Sequence, residues 1–412
     1  RLAREGFRVA AHGAGQFIGA RGLYRDFPDW LELYGHVEMG TRLVQPALAR
    51  AFELLAEDGP DAFYRGPIAG DIAAAVERAG GLMTTDDLVG YAGEWAAPMR
   101  APFAGIEVAE LPPPTQGVTA LEVLRITDGL DLTDDPGERA HLLIEATKLA
   151  LADRDEHITD PAAMRIAPDA LLLEDYVIAR RREIDPRRAA QPVPGRPQRG
   201  GTAYLCAADG DGLLVSLIQS NFLAFGSGIY VPEWGINLNN RGSSFTLDAG
   251  HVNLLAPAKR PMHTLIPAMG LRDGEPCLVF GTMGGDAQVP TQLQVITSFL
   301  RDGADLQDAI SAPRWRVDPA TWHVHVEDRA PGLREAPSRT QRPTTTRWAM
   351  PMRSPSRPAA TTVRPTPAPR AQLSAVEIRT PTGHRPRPQA TVNDGQVVPS
   401  TIRWCQVSVA RT

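Results

Sequence analysis

The segment "RPQRGGTAYLCAADGDGLLVSLIQS", residues 196–220, sets a glycine pair against a threonine that opens a strand-like run. A threonine hydroxyl is a poor nucleophile unless a base sits beside it. One solution uses the threonine's own α-amine, which requires the threonine to be an N-terminus. Thr202 gains that amine only when its bond to Gly201 is cut. A preceding glycine tolerates the strained geometry in which the hydroxyl attacks its own upstream carbonyl. A free α-amine titrates near ~8, so part of it is unprotonated at neutral pH. Taken alone, these residues equally describe a loop meeting a β-former, and that ordinary reading is favoured.

Four other stretches carry candidate chemistry. "SNFLAFGSG" (220–228) flanks Ser227 with glycines, but Phe225 occupies the first glycine position of a G-x-S-x-G nucleophile elbow. "FGTMGGDAQ" (280–288) places Gly284 and Gly285 between a strand and a helix. Backbone N–H groups there suit an oxyanion hole, or the glycines simply make a tight connection. "GAGQFIG" (13–19) resembles a dinucleotide fingerprint, yet its spacing is wrong and no strand precedes it. "HVHVED" (323–328) puts His323, His325 and Glu327 on one strand face. A partial ligand set of that kind reads as a solvated face, so no metal and no cofactor is expected.

The elements that must position these groups fall in order. Residues 1–160 predict mostly helix. "VQPALARAFELLAEDG" (44–59), "IAGDIAAAVERAGG" (68–81), "TTDDLVGY" (84–91) and "RAHLLIEATKLALADRDEH" (139–157) carry helical spacing or caps. In the last of these, Leu142, Leu143, Ala146, Leu149 and Ala150 form one apolar side. "LPPPTQG" (111–117) is a rigid loop. "RRREIDPRRAAQPVPGRPQRGG" (180–201) reads as an exposed linker. From residue 202 the period becomes strand-like in "TAYLCAAD", "LLVSLIQS", "INLNN" and "CLVFGT", with "DGDG" (209–212) as a hairpin turn. Helices then return at 288–303 and around 304–312. The order predicts an α+β fold with αββα layering.

Composition narrows the function class. The chain has 412 residues, 43% of them hydrophobic, enough for a sizeable core in two domains or one large one. The net charge of −5 argues against a nucleic-acid partner. Cys206, Cys277 and Cys405 are too few and scattered for a disulfide framework or zinc site. No apolar run reaches the ~18 residues of a membrane span. The chain begins at Arg1, so upstream sequence is expected to be missing; the compartment, cytoplasmic or periplasmic/secreted, stays open. Residues 334–412 are rich in Pro, Thr, Ser and Arg and predict a disordered tail. "WAMPMRSPSRPAATT" there reads like GC-rich coding sequence out of frame. Without interleaved aromatics, the basic tail is a poor nucleic-acid arm.

Together the pieces resemble the gamma-glutamyltranspeptidase family of N-terminal nucleophile hydrolases. The resemblance lies in an ordered series: "FYRGPIAGDIAAAVERAGGLMTTDDLVGY" (63–91), "LPPPTQGVTALEVL" (111–124), "HLLIEATKLALADRDEHITDP" (141–161), "GTAYLCAADGDGLLVSLIQSNFLAFGSGIYVPEWGINLNNRGSSF" (201–245), "PAKRPMHTLIPAM" (257–269), "FGTMGGDAQVPTQLQVI" (280–296) and "LQDAISAPRW" (306–315). It implies a four-layer αββα sandwich made as a precursor that cuts itself before Thr202. Residues 1–201 would then belong to the large subunit, 202–333 would form the small-subunit core, and 334–412 the tail. The chain is expected to be truncated at its N-terminus, where the family has further strands and a substrate-binding arginine.

By position, Ser220 resembles the hydroxyl that supports the nucleophile, and Gly284 and Gly285 the oxyanion pair. Asn221, Phe222, Arg241, Ser244, His263 and Thr264 fall at substrate-binding positions. The resemblance implies ping-pong acyl transfer from a small gamma-glutamyl amide, such as glutathione, to water or an amino acid. Here "NNRGSSF" puts Ser244 where the best-known members carry an acid that binds the substrate's α-amine, and Arg241 at a neighbouring polar position. His263 and Thr264 replace two serines that often hold the substrate carboxylate. This pattern is more similar to the branch containing cephalosporin- and glutaryl-acylase-like members. An inactive truncated homologue is the rival expectation.

Overall fold

Local signals explain where the helices start and stop in the computed structural model, which describes residues 1–191, 201–209, 212–327, 329–330, 373–377 and 404–405. Helices α1 (Ala11–Ala20) and α2 (Pro28–Tyr34) precede α3 (Pro46–Asp58), which begins at a proline and ends where Gly59 takes φ 69°. Helix α4 (Pro67–Arg78) follows. The turn Thr85–Val89 carries a capping box, with Thr84 N–H donating to Asp87 Oδ2 at 2.8 Å.

Residues 1–160 are mostly helical, as expected, but they also contain a hairpin that the expectation did not include. Strands β1 (Met99–Phe103) and β2 (Ile106–Glu110) form a hairpin turned by Ala104 (φ 47°) and Gly105 (φ 82°). Met99, Ala101 and Phe103 are buried while Arg100 and Pro102 are exposed, the two-residue period of a strand. The run is only five residues long, too short to stand out against its helical flanks.

Helix α5 (Gly117–Asp128) leads to α6 (Pro136–His157), whose cap Asp135 accepts from the Gly137 and Glu138 N–H groups at 2.9 and 2.8 Å. Sequence spacing gives α6 one apolar side. The structure buries it on nearly all sides, including His141, Glu145, Lys148, Asp153 and Arg154. Pairing makes this tolerable: Lys148 Nζ lies 2.8 Å from Glu145 Oε1. Helix α7 (Glu174–Arg182) runs into the segment expected to be an exposed linker. Residues 180–191 are exposed or half-exposed, yet Arg180 ties the segment down, holding Asp153 through two 2.8 Å bonds. Farther on, Ala190 N–H donates to Glu145 Oε2 at 2.8 Å. The rest of that linker, 192–200, lies outside the described residues, as do 210–211 of the "DGDG" turn.

Strands β3 (Gly201–Ala208) and β4 (Leu214–Phe222) form an antiparallel ribbon. Then come β5 (Ala268–Arg272), β6 (Glu275–Thr282), α8 (Gln288–Ile296), and the short pair β7 (Trp315–Val317) and β8 (Val324–Val326). Residues 373–377, inside the tail expected to be disordered, form β9 (Leu373–Glu377) along β6, and Trp404–Cys405 pairs with Trp95–Ala96. "LSAVE" is a short apolar-rich run in an otherwise Pro-, Arg- and Thr-rich stretch, so it can join a ladder. The remainder of 331–412 lies outside the described residues.

One five-stranded antiparallel sheet, ordered β9-β6-β5-β2-β1, sits at the centre. One face (Val108, Ala268, Leu278, Phe280) packs on Leu121, Ile144, Leu151, Val289 and Leu293 of the helices. Each such side chain contributes roughly 1.5–3 kcal/mol on full burial. The opposite face (Ala109, Met269, Leu271, Val279) meets Cys206 and Leu214 of the ribbon. The arrangement is α+β: helices, sheet, then ribbon. Among the described residues no helix is long and apolar enough to cross a membrane.

Candidate active site

Ribbon register brings the nucleophile candidate to its partner. Thr202 pairs with Ser220, and a bulge separates Gly201 from Thr202 in the ladder. Thr202 is 9% exposed. Its Oγ1 donates to Ser220 Oγ at 3.3 Å, and that oxygen also accepts from Phe222 N–H at 2.8 Å. Phe222 reaches this geometry with φ 77°, where the chain leaves the strand.

The loop beyond is clamped from two sides. Asn240 Oδ1 accepts from Leu223 N–H at 2.8 Å, and its Nδ2 donates to Gly226 O at 3.0 Å. Tyr24 OH accepts from Phe225 N–H and donates to Gly226 O, both at 2.9 Å. Phe17 stacks on Phe225 with ring centroids 4.9 Å apart. Residues 13–19 therefore lie within α1 and help seat this loop; they make no phosphate-binding turn. Ser227 is a turn-former, donating to Leu238 O at 3.1 Å and accepting from Ile229 N–H at 3.2 Å.

Arg241 reaches the same point from a short 3-10 turn, Arg241–Ser244. Its Nη2 donates to Ser220 O at 3.3 Å, and its guanidinium lies 5.3 Å from the Phe222 ring centre. The side chain is 8% exposed, and Nη1 is buried without a hydrogen-bond partner among the described residues. Burial lowers its pKa to about 10, so it stays charged at neutral pH. A cation–π contact is worth ~0.5–2 kcal/mol. An unpaired buried ion costs several kcal/mol, so the ring does not offset the burial.

His263 is fully buried, and its pKa falls well below the usual range through desolvation and the charges of Arg241 and Arg260. It is neutral near pH 7. Thr264 is buried beside it, and Gln116 Nε2 donates to both Thr264 O (3.3 Å) and Gly285 O (3.1 Å). Gly284 and Gly285 hold φ values of 135° and 60° immediately before α8, which only glycine adopts without strain. Such a turn ahead of a helix presents backbone N–H groups to an anion.

Three residues that sequence reasoning did not single out organise this loop. Gln116 Oε1 accepts from Arg154 Nη1 at 2.9 Å, and the same nitrogen donates to Asp286 Oδ1 at 2.5 Å. Arg154 also binds Asp155 at 2.7 Å. Burial disfavours the arginine's charge, but both carboxylates restore it, and its pKa rises above its ordinary value. All three lie within the family-like stretches, yet their residue types alone announce no role.

Of the candidates, Thr202, Ser220, Phe222 and Arg241 are linked by direct contacts. Thr264 and Gly285 are tied together by Gln116. Asn221 is buried, with its carbonyl accepting from Asn240 N–H at 3.2 Å. Ser244 is half-buried at the far end of the Arg241 turn. Glu327 pairs with Arg329 at 2.6 Å. Among the described residues no three His, Cys, Asp or Glu side chains are grouped to hold a metal ion.

The gamma-glutamyltranspeptidase family model matches residues 1–338, and the chain belongs to that family. The glutathione hydrolase-like YwrD proenzyme of Bacillus subtilis is 43% identical over 291 residues, which are 70% of this chain and 55% of the relative. The oxamate amidohydrolase proenzyme of Klebsiella pneumoniae is 40% identical over 295 residues, 71% of this chain and 55% of the relative. The crystal structure of cephalosporin acylase from Bacillus halodurans is similar with a TM-score of 0.75 and 36% identity, covering 80% of this chain and 62% of that one. The chain spans about half the length of the curated relatives it matches.

Proposed function

We propose that this chain is the core of an autoprocessing amide hydrolase and acyltransferase whose nucleophile is Thr202. The observation that carries the reading is Thr202 itself: it lies buried at the start of β3, directly after Gly201, with its hydroxyl 3.3 Å from Ser220 Oγ. In the precursor, Thr202 Oγ attacks the Gly201 carbonyl carbon and the Gly201–Thr202 C–N bond breaks. Water hydrolyses the resulting ester, leaving a Gly201 carboxylate and a free Thr202 α-amine.

In turnover, Thr202 Oγ attacks the substrate amide and the α-amine takes its proton. The N–H groups of Gly284 and Gly285 stabilise the oxyanion. The amine leaves with the transferred proton, and water or an amino acid releases the acyl group. General-base help contributes ~10²–10⁴-fold, so an uncut Thr202 is expected to be nearly inert. The substrate is a gamma-glutamyl amide such as glutathione, or a side-chain amide of the kind named for the acylase relative. Ser220, Asn221, Phe222, Arg241, Ser244, His263 and Thr264 surround the acyl group in this reading.

The family's four-layer sandwich, with a large and a small subunit from one precursor, belongs to the same proposal. Its support is the outer ribbon face, where Leu205, Val215 and Leu217 are exposed and await a covering layer. A denaturing gel and intact mass of the purified chain test the reading. Two fragments, one beginning at Thr202, are expected, together with hydrolysis of a gamma-glutamyl or glutaryl anilide. One uncut chain without hydrolysis establishes the inactive homologue instead.

A further inference from the structure

We infer that Gln116 is a positioning residue for the reaction: with its amide oriented by Arg154, it sets the Gly284–Gly285 turn against the His263–Thr264 strand, and so acts on the transition state rather than on substrate binding. The inference rests on the reading in which Thr202 is the nucleophile and the glycine N–H groups hold the oxyanion, and it deepens that reading.

The main chain of Gln116 is fixed without help from its side chain. Its N–H donates to His263 O at 3.0 Å, and His263 N–H donates to Pro114 O at 2.9 Å. Beside it, Thr115 Oγ1 donates to Leu111 O at 2.8 Å and accepts from Gly117 N–H at 3.0 Å. The side chain is fully buried. A guanidinium only donates, so the bond from Arg154 Nη1 identifies which end of the amide is the oxygen. Both Nε2 protons are then left for the two carbonyls within reach, Thr264 O and Gly285 O. Asp155 and Asp286 keep Arg154 charged, so this orientation persists. The amide cannot turn over without aiming its own donors at the guanidinium.

The turn needs such a hold, because two successive glycines have wide backbone freedom. In a trans peptide the C=O and N–H point in opposite directions. Gly284 O accepts from Ala287 N–H at 3.1 Å, which aims the Gly285 N–H away from the start of α8. The next peptide plane is set by Gly285 O on Gln116, and the Asp286 side chain is tied to the same Arg154. One side-chain nitrogen therefore spans the glycine turn and the strand carrying Thr264, which both face the acyl group in the proposed reaction. A displacement of ~1 Å in a reacting geometry costs up to ~10²-fold in rate.

Gln116→Met removes both hydrogen-bonding ends at similar volume. Gln116→Asn keeps an amide, one methylene too short to reach both carbonyls. Steady-state hydrolysis of whichever anilide the wild-type chain turns over, gamma-glutamyl or glutaryl, is measured on the full chain and divided by the amount of chain cut before Thr202. Per cut chain, Gln116→Met is expected to lower kcat ~10–100-fold with KM within about twofold, and Gln116→Asn to fall between it and wild type. A purely structural role lowers the amount of folded or cut chain and leaves kcat per cut chain unchanged; that result overturns the inference. A change confined to KM overturns it too. So does loss of the cut, or of the cooperative urea transition, in both variants; if only Gln116→Met is lost, the kcat of Gln116→Asn decides. A wild-type chain that stays whole, or that is cut and hydrolyses neither anilide, overturns the Thr202 reading and the inference with it.

Discussion

Gly281→Ala tests how the ribbon that carries Thr202 is held on the sheet. A Cβ at Gly281 lies 2.3 Å from Tyr204 Cε2, 2.4 Å from Cδ2 and 2.8 Å from Cζ. Carbon atoms pack best at about 3.5–4.0 Å, so ring and strand must part by about 1 Å. The ring cannot simply swing aside, because Tyr204 OH is bonded to Ser216 Oγ at 3.0 Å across the ribbon. Overpacking of this kind costs about 1–3 kcal/mol. Alanine recovers roughly 0.5–1 kcal/mol because it is less flexible than glycine in a strand. The net loss is expected to be about 1–2 kcal/mol. Equilibrium urea denaturation of Gly281→Ala, Tyr204→Leu and the double variant measures it as a coupling energy. With the ring removed, the alanine should cost almost nothing. A cost equal in both backgrounds to within about 0.5 kcal/mol would refute the packing argument. Tyr204 stands two residues from Thr202, so Gly281→Ala should also lower the fraction of chain cut before Thr202, read by densitometry of a denaturing gel.

Other expectations follow from the same contacts. Ser220→Ala leaves Thr202 Oγ1 and Phe222 N–H without their shared acceptor, and an unsatisfied buried group costs ~1–3 kcal/mol; both stability and the rate of cleavage should fall, read by thermal melting and time-resolved intact mass. Thr202→Ser should still be cut and Thr202→Ala should remain one chain by mass. Anilide hydrolysis by the cut enzyme should fall about tenfold per pH unit below ~8, as the α-amine is protonated; a flat profile from pH 6 to 8 speaks against that base. Arg154→Met removes the buried cation that Asp286 and Asp155 share and should cost ~3–5 kcal/mol in urea denaturation. His263 has a folded pKa far below the ~6.5 of the unfolded chain. Below pH ~6.5 the unfolded state takes up the proton first, so the histidine's contribution to stability is full above that pH and is lost as pH falls toward the folded value. The wild-type urea midpoint should therefore drop more steeply with acidification than that of His263→Asn, and parallel slopes would contradict the buried neutral histidine.

Helix ends were legible where single residues determine them. Gly59 after α3 and Thr84 with the acids that follow it act within one turn, so neighbouring letters suffice, whereas the Asp135 cap, ahead of the expected start at 139, was missed. The β1–β2 hairpin was not legible, because five-residue strands carry a weak period. The burial of α6 on nearly all sides was not legible either, since Lys148, Asp153 and Arg154 look like a solvated face until their partners are known. Residues 180–191 are exposed or half-exposed, but no sequence signal showed that Arg180 and Ala190 find acceptors on α6, which lie far away in the chain.

For the site, the ordered motifs identified the family and nominated Thr202, Ser220, Gly284 and Gly285. Those nominations depend on residue type and chain order, which a sequence contains in full. What only the tertiary structure decided is which groups share one dielectric environment. Gln116, Arg154 and Asp286 come from three distant stretches and meet to hold the glycine loop. Folding buries Arg241 beside Ser220, and among the described residues no acid is paired with it. Burial and pairing are properties of three-dimensional neighbours, so residue type and chain order alone do not contain them.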